Sequence, residues 1–148
     1  MRNPAVLVAV VLATGACSAS SSEDAQRLRA FAGDVAAENQ AHLDAARAID
    51  TMPAMARETA RHQAAMTALD DGLGDALDAM LFRCHGGGMD ELPMCHAQLA
   101  DEMTLHVMAM RGATNVPAAR AEVARHASAV TAVLDDLDVA IDDTRCDR

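Results

Sequence analysis

Residues 38–62 read ENQAHLDAARAIDTMPAMARETARH, and residues 102–126 read EMTLHVMAMRGATNVPAARAEVARH. In each stretch a Glu stands four residues before a His twice over, giving Glu38/His42, Glu58/His62, Glu102/His106 and Glu122/His126. Successive pairs within a stretch are 20 residues apart, and the two stretches are offset by 64. That is an internal repeat of one helical hairpin. Glu fills only 6 of the 148 positions. Four independent coincidences would have a probability on the order of one in a million, or roughly one in a thousand if the halves arose by duplication.

Each stretch carries a turn signal at its middle, Asp50-Thr51-Met52-Pro53 in the first and Gly112 through Asn115 to Pro117 in the second. Working outward, a first helix is expected from Glu23 or Asp24 to Ile49. A second, capped by Thr51, should run to Arg83 or Cys84, where Gly86-Gly87-Gly88 cannot continue it and Gly72 and Gly74 weaken its middle. Asp90 can cap a third helix, with Pro93 tolerable in its first turn, ending at Gly112 to Asn115. A fourth should run from Pro117 to Asp143. The expected fold is an all-α, antiparallel up-down-up-down four-helix bundle over residues 23–148, built from two repeated hairpins.

Composition agrees. Ala fills 34 positions, and Phe31 and Phe82 are the only aromatic residues. Strand-favouring aromatic residues are nearly missing and helix formers abundant. With 22 acids against 12 Arg, no Lys and a net charge of −10, the chain lacks the basic patches and stacking platforms that nucleic-acid binding needs.

Phase puts the Glu/His pairs in the core rather than on a solvated face. On the first helix the apolar stripe is Leu28, Phe31, Val35, then Ala45 and Ile49, and Glu38 and His42 fill its gap. The other three pairs interrupt their stripes in the same way. Ionisable groups so placed must be paired, protonated or bound to metal to offset desolvation. In an antiparallel hairpin, residues are level when their numbers share a sum. Glu38 with His62 and His42 with Glu58 both centre on Asp50, while Glu102 with His126 and His106 with Glu122 both centre on Thr114. Two mixed layers follow, each with two carboxylates and two imidazoles.

Carboxylate and imidazole together are ligands for Zn, Fe, Mn or Cu. The spacing therefore predicts a site for transition metal ions, two of them, held by Glu38, His42, Glu58, His62, Glu102, His106, Glu122 and His126. Haem is disfavoured, because the Glu in each layer would crowd a porphyrin. The ligand set resembles that of the ferritin-like di-iron bundles in principle only, since those carry Glu-x-x-His. That resemblance implies a di-metal oxidoreductase as the alternative to a binding protein. Full ligation by eight side chains leaves few open positions, which favours metal storage, buffering or sensing over turnover. A metal-free interaction bundle is the third reading.

The N-terminus has its own logic. Arg2, the apolar run from Ala5 to Ala13, and small residues up to Cys17 have the order of a secretory signal, too short to span a bilayer. Cys17 followed by Ser18-Ala19-Ser20-Ser21-Ser22 resembles a bacterial lipoprotein start, with Thr14 departing from the usual aliphatic residue. The resemblance implies a signal over 1–16, acylation of Cys17, a tether over 17–22, and a lipid-anchored chain on the periplasmic side of the outer membrane or at the cell surface. For an exported chain, Cys84, Cys95 and Cys146 are disulfide candidates. Cys84 with Cys95, close across the glycine connection, is the favoured pair.

Overall fold

The computed structural model describes the backbone of residues 16–81, 84 and 88–144, and side chains in that range from residue 23 onward, save 79 and 81. Four helices fill it: α1 (Ala16–Ala48), α2 (Met52–Leu81), α3 (Glu91–Gly112) and α4 (Val116–Asp143). They form an all-α bundle in which α1 packs on α2, α3 on α4 and α1 on α4. None of the helices is long and apolar enough to cross a membrane among the described residues.

Element boundaries follow local chemistry. Thr51 Oγ1 accepts from the Ala54 amide (3.4 Å) at the start of α2, and Asn115 Oδ1 accepts from the Ala118 amide (2.9 Å) at the start of α4. Each satisfies one of the orphan donors of a helix N-terminus. Asp90 does not cap α3: its own backbone is already helical, and its side chain makes no capping bond. The first helix also begins earlier than expected. The Ser-rich run assigned to a tether is helical in α1, as the absence of Gly and Pro between Ala16 and Ala32 permits. Residues 1–15 and the side chain of Cys17, which carry the signal and acylation readings, lie outside the described residues.

Two apolar clusters occupy the two ends of the bundle. The larger joins Leu28, Val35, Met66, Leu73, Leu77, Leu92, Leu99, Val130, Leu137 and Ile141. The smaller, near the two tight turns, joins Ala46, Met55, Met110, Ala119 and Val123. On α1, α2 and α3 the Glu/His pair lies between them in sequence, and on α4 His126 does, with Val123 of the smaller cluster inside the pair.

The seams of the bundle are unequal. Between α1 and α4, Arg29 pairs with Asp138 (3.3 Å) and Asp142, Asn39 Nδ2 donates to the Ala127 carbonyl (3.1 Å), and Arg120 donates to the Ala46 and Ile49 carbonyls (3.0 and 2.7 Å). The last pair satisfies carbonyls that the end of α1 leaves open. Between α2 and α3 there are instead two clefts of about 300 and 220 Å³, both lined by Gln63, Val107 and Arg111.

At the far end, Cys84 is disulfide-bonded and Cys95 is a free, buried thiol. The favoured Cys84–Cys95 bridge is therefore not formed. Cys95 points into the apolar cluster from the second turn of α3, where it packs as a small hydrophobe. Burial pushes its thiol pKa up. The third candidate, Cys146, lies outside the described residues. Gly88, at a φ of +90°, lets the connection pass against the end of α4, since a Cβ there would sit 2.8 Å from Thr144 Oγ1 and closer still to the Ala140 carbonyl.

Candidate functional site

The eight Glu and His side chains meet at one level of the bundle, and the hairpin arithmetic identifies their partners. His62 Nδ1 lies 2.8 Å from Glu38 Oε1 and His42 Nδ1 3.0 Å from Glu58 Oε1. In the second hairpin His126 Nδ1 lies 2.8 Å from Glu102 Oε1 and His106 Nδ1 3.1 Å from Glu122 Oε1. Every bond joins the two helices of one hairpin. None joins a Glu to the His four residues along its own helix.

The two residue types take different depths. All four imidazoles are fully buried, whereas the Glu side chains keep 10–15% of their surface. Rings of one hairpin stack across the two layers, His42 on His62 at 4.0 Å and His106 on His126 at 4.1 Å between centroids. The stacks meet edge to face at 5.4–6.0 Å. Ring stacking, rather than bridging carboxylates, thus closes the space between the layers.

Arg61 and Arg125, which the Glu/His spacing alone does not announce, complete the arrangement. Arg61 donates to Glu38 (2.8 and 3.0 Å) and to Glu58 (2.7 and 2.9 Å). Arg125 does the same for Glu102 and Glu122. One guanidinium fork thereby holds both carboxylates of a hairpin. The signal was present in the repeat: Glu58-Thr-Ala-Arg61-His62 and Glu122-Val-Ala-Arg125-His126 share an Arg as well as the pair.

The electrostatics follow from these contacts. Burial alone would raise the Glu38 and Glu102 carboxyls, but bonds from the guanidinium and the imidazole outweigh it and hold both below the ordinary range. For Glu58 and Glu122 the guanidinium bond is the largest influence, and the result is the same. Burial pushes all four imidazoles down, His62 and His106 to about 4.

Protonation is then constrained by bonding. An ionised carboxylate can only accept, so each imidazole donates through Nδ1–H and, being neutral, carries a lone pair on Nε2. The Nε2 atoms of His42 and His106 are buried without a partner. Those of His62 and His126 face each other at 3.2 Å, where two lone pairs repel unless a proton or a cation lies between them. As placed, no three His, Cys, Asp or Glu side chains among the described residues stand in ready metal-ligating geometry. What the site offers is four inward nitrogens, two of them without a partner and two facing each other, each ring fixed from outside by a carboxylate.

Comparison of the chain with protein-family models, with curated proteins and with solved structures finds no match to any of the three.

Proposed function

We propose that this chain is an exported, lipid-anchored bundle that binds a transition metal ion through Nε2 of His42, His62, His106 and His126. Glu38, Glu58, Glu102 and Glu122 act from outside as the carboxylates that orient the rings. One observation carries the reading: the four inward Nε2 atoms are buried together, those of His42 and His106 without a partner and those of His62 and His126 facing each other at 3.2 Å. Ligating histidines characteristically donate their other N–H to a carboxylate, which fixes the tautomer and raises basicity. Here all four do so. The 3.2 Å between His62 and His126 Nε2 is near the edge of a ligand tetrahedron, about 3.3 Å for zinc–nitrogen bonds of about 2.0 Å.

This reading takes one ion where ligand counting in the sequence suggests two. The carboxylates are occupied by guanidinium and imidazole, so they are poor ligands for a second. It favours storage, buffering or sensing over catalysis, because four nitrogen ligands leave no open position for a substrate. The ferritin-like oxidoreductase alternative has less support for the same reason. Lipid anchoring rests on the N-terminal sequence alone.

The test is metal content and thermal unfolding of the full chain, with and without added Zn2+ or Co2+. Binding to the folded state alone raises Tm with the logarithm of free ion. The double variant H62A/H126A should lose that response. An unchanged response in the variant, or none in the parent chain, would leave a metal-free hydrogen-bonded core as the correct reading.

A further inference from the structure

The charges around the four imidazoles add to a definite sum. Each of Glu38, Glu58, Glu102 and Glu122 is held by a guanidinium and accepts from an imidazole, and among the described residues Arg61 and Arg125 are the cations that hold them. Four carboxylates and two guanidiniums leave two negative charges, one for each hairpin. The imidazoles contribute none when neutral. Both residual charges sit at nearly the same depth, on carboxylates bonded directly to the rings, and the four imidazoles between them are fully buried. The carboxylates keep only 10–15% of their surface while the guanidiniums are half exposed, so the negative charges are less screened from the core than the positive ones, and an ion that does not balance them is held less well.

We propose that the site is matched in charge to a single divalent cation of nitrogen-preferring, tetrahedral habit, the class of Zn2+ and Co2+, and discriminates against monovalent Cu+. The proposal rests on the four-imidazole reading above and adds the selection rule. A divalent ion brings the cluster to neutrality. Cu+ leaves one negative charge uncompensated. The Glu/Arg ring, which touches no metal, thereby adds selection by charge to the preference already set by the ligating nitrogens. The 64-residue repeat supplies the arithmetic: each hairpin contributes two carboxylates and one guanidinium, hence one unit of compensating charge.

The experiment measures affinities for Zn2+ and, without oxygen, for Cu+ by competition with chelators of known strength, on the full chain and two double variants. E58Q/E122Q removes both residual charges and should lower the Zn2+/Cu+ affinity ratio at least tenfold. R61M/R125M adds two negative charges and should raise the ratio. Loss of packing in either variant would weaken both ions together and leave the ratio where it was, so opposite movement is the signature of charge. A ratio unchanged in both variants, or moved in the same direction by both, overturns the selection rule while leaving metal binding intact. Failure of the parent chain to bind either ion removes the four-imidazole reading itself and this inference with it.

Discussion

At the scale of single residues, the unusual feature is a core of neutral imidazoles fixed by ionised carboxylates. Its consequence for stability has a definite sign. The four rings titrate below their ordinary value of 6.5, His62 and His106 near 4. Between those limits the unfolded chain takes up protons that the folded chain refuses, so stability falls as pH drops. The carboxylates, also depressed in the folded state, withdraw their contribution as they in turn protonate. The Tm of the metal-free chain should therefore decline steadily from neutrality to about pH 4, and a flat profile over that window would contradict the burial of neutral rings. Much of this level was legible beforehand. Sums of residue numbers paired His62 with Glu38 and His106 with Glu122, because an antiparallel hairpin leaves little freedom in register. The depth of each group was not legible. Periodicity shows which face a residue occupies but not whether a long side chain reaches inward or back out, and the guanidiniums of Arg61 and Arg125 drew the carboxylates outward.

At the scale of elements, breaks in the pattern announced three turns, and two glycine positions separate the roles that residue can play. Gly88 combines a φ of +90° with close contact to the end of α4, so Gly88→Ala should cost about 2 kcal/mol of stability. Gly33 lies within α1 with open space where a Cβ would stand. Gly33→Ala should instead gain up to about 1 kcal/mol, through better helix propensity. Denaturant unfolding of the two variants checks both signs. The glycine run was readable as the end of α2, and Thr51 as a cap. The pairing of Cys84 was not readable, because distance along the chain says nothing about which way Cys95 faces on α3. Its position one face-turn into the helix directs it to the core and not back across the connection. Asp90 failed as a cap for a related reason: the residue type is right, but the turn before α3 already has helical backbone there.

At the scale of the whole molecule, the 64-residue repeat suggests a bundle with two equivalent seams, and the structure departs from that symmetry. Asn39, which staples α1 to the Ala127 carbonyl, corresponds to Met103 in the second hairpin, and methionine cannot make the equivalent bond to α2. Arg29 and Arg120 add further ties on the α1–α4 side. The opposite side has clefts where those ties would be, with His96 and Asp70 meeting across it at 2.8 Å. Amide hydrogen exchange should follow this division. Amides of α2 and α3 beside the clefts are expected to exchange faster than those of α1 and α4 at the same level, and equal protection on both sides would count against it. The repeat made the symmetry visible in the sequence, while its breaking depended on Asn39, Arg29 and Arg120, whose partners lie on a helix distant in sequence. The bundle is consequently bound like a book, with its spine along α1 and α4 and its fore-edge along α2 and α3. Gln63 and Val107, next in sequence to two of the buried rings, stand at that fore-edge, so the pages part first beside His62 and His106.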